Sequence, residues 1–285
     1  MSDSNSPLMT PFVKMHGLGN DFVVIDARDR AFQPDKALAA AIADRRLGIG
    51  FDQMLVMRPP RDPRADIFMS IYNADGGEVE ACGNGTRCVA RRIMAESGRS
   101  RVIVETVAGL LDAHAAPEGQ VAVDMGYVRT DWSEIPLKES CDTLHVPLEL
   151  GPLSDPVAGN VGNPHATFFV NDINEIELSK LGPVLEHHPI FPQRANIGVV
   201  EVIDRNHARL RVWERGVGET KACGTGACAA AVALARRNLT EREVTIDLLG
   251  GSLELSWRPD GHIIMTGPAA SSFVGAFDVV ELMRR

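Results

Sequence analysis

Short apolar runs separated by polar and glycine-rich turns make up most of the chain. Runs rich in Val, Ile, Phe and Thr, bounded by Gly, Pro, Asn or Asp, are typical of β-strands. In the first half they predict strands at 12–15, 22–26, 52–57, 66–72, 101–107, 110–115 and 120–125. In the second half they predict strands at 143–148, 166–170, 196–204, 208–213, 243–248, 252–257 and 262–266.

Helical spacing of apolar residues alternates with these strands. It predicts helices at 34–46, 86–97, 178–187 and 224–238. The stretch ACAAAVALA at 227–235 is apolar on every side, so the last of these helices must be fully enclosed. Hairpin-connected strands with few helices favour an α/β protein of α+β character. We expect mostly antiparallel sheet curled around a central helix, rather than a doubly wound parallel sheet.

One sequence block occurs twice. Residues 70–85 read SIYNADGGEVEACGNG and residues 211–226 read RVWERGVGETKACGTG. Their cysteines, Cys82 and Cys223, lie 223 − 82 = 141 positions apart in a chain of 285 residues. A period of half the chain indicates an internal duplication rather than two glycine-rich turns that arose independently.

The repeat extends beyond this block, with a nearly constant offset. Gly19-Asn20 has a counterpart in Gly162-Asn163, Gln53 matches Asn196, and Asn73 matches Glu214. We therefore expect two pseudo-symmetric domains, 1–127 and 128–269, with the segment 270–285 returning to the first. A duplicated chain can bring one matched group from each half to a shared interdomain cleft.

Composition narrows the class of protein. A hydrophobic content of 45% and a charged content of 24% are ordinary for a globular protein. The net charge of −9 and the lack of basic runs speak against nucleic acid. No apolar run is long enough for a membrane span, and the first residues, a polar tail, do not resemble a secretory signal, so we expect a cytoplasmic protein. Five cysteines without a CxxC motif argue against both a disulfide framework and a zinc site.

The two ACGxG turns carry the strongest chemical signal. A cysteine just before a helix meets unpaired N–H groups and the positive end of the helix dipole, which favour thiolate and can lower its pKa from ~8.5 to ~3.5–7.5. The same N–H groups suit a carboxylate. An inert structural helix entry is the alternative for a single turn, but two matched turns favour chemistry. Paired acid/base groups suit a reaction that takes a proton from one face of a carbon and returns it to the other.

Polar residues at equivalent places in both halves suggest a lining for a zwitterionic ligand. Arg215 is suited to a bidentate carboxylate contact, although Glu214-Arg215 would also serve as an exposed turn pair. His165 is either a ligand-orienting group or a satisfied core histidine, and its counterpart is Phe22. The uncharged members of the lining are Asn20, Gln53, Asn73, Asn163 and Asn196.

Together these motifs resemble the diaminopimelate epimerases. The resemblance rests on KMHGLGNDF (14–22), GIGFDQ (48–53), YNADGGEVEACGNGTRCVAR (72–91), GNPHA (162–166), ANIGVV (195–200) and ERGVGETKACGTGACAAAV (214–232). It implies an isomerase that interconverts LL- and meso-diaminopimelate on the bacterial route to lysine and peptidoglycan. It also implies that the enzyme uses no pyridoxal phosphate, no other cofactor and no metal. The resemblance further implies that the site lies between two α/β domains.

The resemblance also implies roles for individual residues. Cys82 and Cys223 would be the acid/base pair, with Glu214 and His165 assisting at the reacting centre. The backbone amides of Gly83-Asn84 and Gly224-Thr225 would hold the α-carboxylate. The remaining substrate contacts would come from Asn20, Gln53, Asn73, Asn163, Asn196, Glu214 and Arg215. A homodimer is one expected assembly, although the sequence does not determine the oligomeric state.

Three alternatives remain open from the sequence. A proline or hydroxyproline racemase of the same superfamily would leave Arg215 and the paired asparagines without a distal ligand group. A thiol–disulfide redox protein would normally carry adjacent CxxC cysteines, which this chain lacks. A non-catalytic amino-acid-binding protein would not need both cysteines.

Overall fold

The computed structural model describes residues 9–80 and 82–284. Ala81 of the repeated turn and the first eight residues of the N-terminal tail lie outside the described residues. The described chain divides into two compact units, one running up to Val121 and resuming at Pro268, the other spanning Ala122–Gly267. The predicted domain limits, 1–127 and 128–269 with 270–285 rejoining the first, stay a prediction.

The helices and strands follow one another in the same order in both halves, except that the second half begins with an additional pair of short strands, β9 and β10. The first half contains β1 (Met9–Gly17), β2 (Asn20–Asp26), α1 (Lys36–Ala43), β3 (Gln53–Arg58), β4 (Ile67–Asn73), β5 (Glu78–Val79), α2 (Gly83–Ser97), β6 (Arg101–Thr106), β7 (Gly109–Ala115) and β8 (Val121–Tyr127). The second contains β9 (Glu149–Leu150), β10 (Leu153–Ser154), β11 (Val157–Asn160), β12 (Pro164–Val170), α3 (Leu178–Glu186), β13 (Asn196–Asp204), β14 (His207–Glu214), β15 (Gly218–Thr220), α4 (Gly224–Arg236), β16 (Glu243–Leu248), β17 (Gly251–Trp257) and β18 (His262–Gly267). The chain then continues through β19 (Ala270–Asp278) and α5 (Val279–Met283).

Strand pairing repeats with the elements. In the first unit β1–β2, β3–β4, β4–β5 and β6–β7 are antiparallel, whereas β2–β3 and β4–β6 are parallel. In the second unit β11–β12, β13–β14, β14–β15 and β16–β17 are antiparallel, whereas β12–β13 and β14–β16 are parallel. The predicted fold class, a duplicated and mostly antiparallel α/β structure, is therefore confirmed.

Each unit wraps its sheet around one helix. In the second unit α4 contacts β11 to β14 and β16 to β18, and its residues from Ala227 to Leu234 are buried. In the first unit α2 contacts β1, β2, β3, β6 and β7. The apolar circumference of α4 required this enclosure, as the sequence predicted.

Two predicted segments differ from the structure. The segment 143–148 is turn and coil rather than strand, because Pro147 offers no N–H and the Asp142 carboxylate accepts from Leu144 N at 2.8 Å to form a tight turn. Val146 and Leu148 are nevertheless buried, which explains the misleading apolar pattern. The first helix is shorter than predicted and begins after Asp35, whose side chain accepts from Leu38 N.

The sequence also missed several short or irregular strands. They are β5, β9, β10, β11, β15 and β19. Most are too short to show a periodic pattern. The longer β19 pairs antiparallel with β1, with Val274 opposite Val13, and leaves Phe273 and Val274 exposed. Among the described residues, no helix is long and apolar enough to cross a membrane.

Candidate active site

Cys82 is the residue that caps the start of α2. Its backbone is extended, with φ −149° and ψ 106°, and its sulfur accepts from Gly85 N at 3.3 Å. A Cβ at Gly85 would lie 3.0 Å from Leu55 Cδ2 and 3.4 Å from the Cys82 sulfur. The glycine therefore lets the helix start pack closely on β3 while the thiol caps it.

Cys223 occupies the same position at the start of α4. Its φ of −121° and ψ of 106° are also extended, and its sulfur accepts from Gly226 N at 3.4 Å. A Cβ at Gly226 would lie 3.0 Å from Val212 Cγ2 and 3.2 Å from the sulfur. The two turns thus share one local geometry, which the repeated ACGxG sequence predicted.

The two cysteines differ in their surroundings. Cys223 is buried, while Cys82 is partly exposed. Burial, followed by the negative charge of Glu214, raises the pKa of Cys223 well above its ordinary value, and hydrogen bonds from Thr225 and Gly226 oppose this only in part. The expectation that the helix start would lower the pKa is therefore wrong for Cys223, because desolvation and a carboxylate outweigh the helix end.

Cys88 and Cys228 lie inside the two helices and are fully buried. Burial raises the pKa of Cys88 to about 12. This agrees with the sequence interpretation of both residues as small core hydrophobes. Burial, with nearby Asp142 and Glu139, also raises the pKa of Cys141.

The predicted polar residues of the first unit form two hydrogen-bonded pairs. Asn84 Nδ2 donates to Asn20 Oδ1 at 3.3 Å, and Gln53 Nε2 donates to Asn73 Oδ1 at 2.9 Å. Gln53 and Asn73 face each other across β3 and β4. Asn84 follows Gly83 in the first turn of α2, so the first pair connects the helix start to the beginning of β2.

Arg87 supports this arrangement and was missed by the sequence analysis. It is fully buried, and its Nη2 donates to Asn84 Oδ1 at 2.9 Å. Its Nε donates to the carbonyl of Pro268 at 3.3 Å. The duplication gave no signal for it, because the equivalent position in the second half is Cys228. The two cysteines therefore have different electrostatic surroundings. The first unit contains the buried guanidinium of Arg87, whereas in the second unit Glu214 lies beside Cys223.

His165 and the asparagines of the second unit lie at the adjoining ends of β12 and β13. His165 Nε2 is 2.8 Å from Asn163 Oδ1, and His165 pairs with Asn196 across the two strands. Phe22 and Gln53 pair in the same way in the first unit, as the repeat predicted. Burial, with a smaller contribution from the Arg215 charge, lowers the pKa of His165 to about 3.

The neutral state of His165 predicts a pH dependence of stability. His165 binds a proton near pH 6.5 in the unfolded chain but only near pH 3 in the folded protein. The contribution of neutral His165 to the free energy of unfolding is therefore fully present above pH 6.5 and is lost on acidification. The slope is about 1.4 kcal/mol per pH unit within that window. We expect the free energy of unfolding to depend less on pH in His165→Phe, which copies Phe22, than in the wild type between pH 6 and 4. Parallel slopes for the wild type and the variant would contradict a neutral folded His165.

The Glu214-Arg215 pair lies at the end of β14, whose last residue is Glu214. Thr220 Oγ1 donates to Glu214 Oε1 at 2.5 Å, and Arg215 N donates to Asn196 Oδ1 at 2.9 Å. The Arg215 Nη1 donates to the carbonyl of Gln193 at 2.9 Å. Arg215 therefore belongs to a turn that hydrogen bonds from its backbone and its side chain hold in place. It brings Glu214 beside Cys223 and the Arg215 charge near His165.

Each unit thus carries its own set of the predicted residues. The first set contains Asn20, Gln53, Asn73, Cys82, Gly83 and Asn84, and the second contains Asn163, His165, Asn196, Glu214, Arg215, Cys223, Gly224 and Thr225. Gly83-Asn84 and Gly224-Thr225 open their helices, where N–H groups suit an anion. Within the described ranges, no group of three or more His, Cys, Asp or Glu side chains is arranged to hold a metal ion.

Comparison with known proteins places the chain in a family. The family model for diaminopimelate epimerase matches residues 12–130 and 157–271. The chain belongs to the diaminopimelate epimerase family. A diaminopimelate epimerase of Rhodospirillum centenum is 55% identical over 93% of this chain and 91% of that protein. Another, of Acidiphilium cryptum, is 50% identical over 95% of this chain and 98% of that protein.

Solved structures of more distant proteins share the fold of this epimerase-family chain. A phenazine biosynthesis protein of the PhzF family from Bacillus anthracis aligns with a TM-score of 0.67 at 17% identity, over 94% of this chain and 99% of that one. A hydroxyproline epimerase from Agrobacterium vitis aligns with a TM-score of 0.68 at 16% identity, over 94% and 91%. At these identities the likeness shows the fold alone.

Proposed function

We propose that this chain interconverts LL- and meso-2,6-diaminopimelate without a cofactor, on the bacterial route to lysine and peptidoglycan. The observation that carries the proposal is the pair of matched cysteines, each capping a helix start in a member of the diaminopimelate epimerase family. One thiolate takes the α-proton from one face of the carbon. The other cysteine, as a thiol, returns a proton to the opposite face.

The unequal surroundings of the cysteines support a proposal for their resting states. Burial and Glu214 raise the pKa of Cys223, so this residue rests as the thiol and is the proton donor. Cys82 is then the base for the first half of the reaction. After inversion Cys82 carries the proton and Cys223 is the thiolate, so the reverse reaction runs with the roles exchanged. The two groups titrate as a pair rather than as independent acids.

The helix starts supply the carboxylate site in this scheme. Backbone N–H groups of Gly83-Asn84 and Gly224-Thr225 hold the α-carboxylate of the reacting centre, where they stabilise charge that develops as the proton leaves. Glu214 and His165 assist at this centre. The neutral state of His165 fits a hydrogen-bonding role rather than that of a charged acid.

The remaining polar residues bind the rest of the substrate. Arg215 holds the distal carboxylate, and Asn73, Asn163 and Asn196 complete the distal pocket. Asn20 and Gln53 contribute further contacts. Support comes from the hydrogen bonds that fix these side chains within each unit, such as Asn196 Nδ2 to the carbonyl of Pro164 at 2.9 Å. Fixed side chains lose little entropy when they bind a ligand.

The direct test is an exchange assay with the purified, reduced protein. We expect incubation with LL-diaminopimelate in D₂O to give meso-diaminopimelate and loss of the α-proton signal by NMR. Proline and trans-4-hydroxyproline, incubated in parallel, should keep their α-protons. Exchange of the proline α-proton alone would favour the racemase alternative. Binding of diaminopimelate without any exchange would favour a non-catalytic binding protein.

We further propose that the working protein is cytoplasmic and homodimeric. The mechanism requires both thiols in the reduced state, which the cytoplasm maintains. Sedimentation of the active protein would establish the assembly.

A further inference from the structure

A buried carboxylate holds the segment that carries Glu214 and Arg215. Glu186, the last residue of α3, is 3% exposed. Its Oε2 accepts from Trp213 Nε1 at 2.8 Å, and its Oε1 accepts from Gly216 N at 2.9 Å. Arg194 Nη1 donates to Oε1 at 3.3 Å. A buried carboxylate is stable only when donors satisfy it in this way.

The partners of Glu186 stand on both sides of the functional pair. Trp213 precedes Glu214, and Gly216 follows Arg215, so one carboxylate fixes both ends of the two-residue segment. Gly216 has φ +74°, a left-handed conformation in which its N–H turns towards Glu186. Glu186 is the only acidic residue of α3.

We infer that Glu186 is a positioning residue that holds the Glu214-Arg215 segment in its ligand-binding geometry. This inference rests on the proposed function, because its consequence for turnover runs through Arg215. The Glu214 carboxylate is held separately by Thr220, whereas the Glu186 bond to Gly216 directly follows Arg215. Small displacements of a positioning group are costly: a shift of about 1 Å can lower a rate by roughly 10²-fold. A residue that merely supports the fold would lower stability without acting through Arg215.

The test compares Glu186→Gln with Glu177→Gln. Gln offers one oxygen in place of two, and its NH₂ group must face a donor at the other position. Glu177 directly precedes α3 and is exposed, with its carboxylate bonded to Lys180, so its replacement is the matched control. We expect E186Q to lower kcat/KM for diaminopimelate about 10- to 100-fold and E177Q to leave it unchanged.

A double-mutant cycle with Arg215→Met separates positioning from general support. If Glu186 acts through Arg215, E186Q should cost less than about 3-fold in the R215M background, since the group it positions is already gone. An equal loss in both backgrounds, or normal activity in E186Q, would overturn the inference. If E186Q does not fold, Trp213→Phe removes one donor to Glu186, keeps an aromatic ring, and takes its place in the cycle.

Amide hydrogen exchange tests the inference independently of turnover. We expect E186Q to speed exchange in peptides covering 213–217, where Gly216 N loses its acceptor, and E177Q to leave them protected. If the wild type does not epimerise diaminopimelate, the proposed function fails. The difference in exchange would then still show that Glu186 holds the segment in place. Unchanged exchange in E186Q would overturn it.

Discussion

Replacing either Cys82 or Cys223 by alanine should lower kcat/KM for diaminopimelate by at least ~10²–10⁴-fold, the usual scale for a general acid or base. The loss should be large for both residues, because each direction of the reaction needs one cysteine as base and the other as acid. Cys141→Ala is the matched control. This cysteine lies against a hydrophobic cluster outside the repeated turns, and its loss should leave the rate unchanged.

Binding and turnover should separate in these variants. The proposed carboxylate site uses backbone N–H groups, which survive the loss of a thiol, so each alanine variant should still bind diaminopimelate in calorimetry. The wild-type kcat/KM should be bell-shaped in pH, since only the form with one thiolate and one thiol is active. Near-normal epimerisation by either alanine variant would refute the two-cysteine mechanism.

The duplication could be predicted because its signals are local. A cysteine before a glycine-rich turn caps the helix that follows, and the glycine three positions later leaves room for the sulfur and the neighbouring strand. These requirements involve residues close in sequence, so the repeated ACGxG motif was enough to predict both turns. The constant offset of the repeat also matched Phe22 to His165 and Gln53 to Asn196, and these residues occupy equivalent strand pairings in the two units.

Features that depend on distant neighbours could not be predicted. The raised pKa of Cys223 follows from its burial and from Glu214, and a local motif cannot reveal either. Arg87 and Glu186 have no chemical counterpart in the other half, so the repeat gave no signal for either residue. The segment 143–148 has apolar residues at strand-like spacing. These residues are buried, but the segment that carries them is a turn followed by coil.

Arg215→Met should depress kcat/KM for diaminopimelate by roughly 30- to 4000-fold. In our proposal the Arg215 guanidinium holds the distal carboxylate, while the helix starts hold the reacting end. Its Nη1 donates to the carbonyl of Gln193 at 2.9 Å, which orients the group. Removal of one partner of a buried charge pair costs about 2–5 kcal/mol, and ~1.4 kcal/mol corresponds to a factor of ten.

The split between kcat and KM tests whether this binding energy also positions the substrate. Binding at a remote group helps to place the reacting carbon, so kcat should fall in Arg215→Met together with the rise in KM. Arg258→Met, which removes an exposed guanidinium paired with Asp260 at 2.9 Å, is the matched control and should be silent.

Substrate choice provides the complementary test of Arg215. Lysine has the distal amine but lacks the distal carboxylate, so the wild type should epimerise it very poorly, and Arg215→Met should narrow the ratio between the two substrates. The narrowing should arise from slower diaminopimelate turnover, because lysine offers the missing guanidinium nothing to bind. If the wild type epimerises lysine as well as diaminopimelate, Arg215 does not select the distal carboxylate.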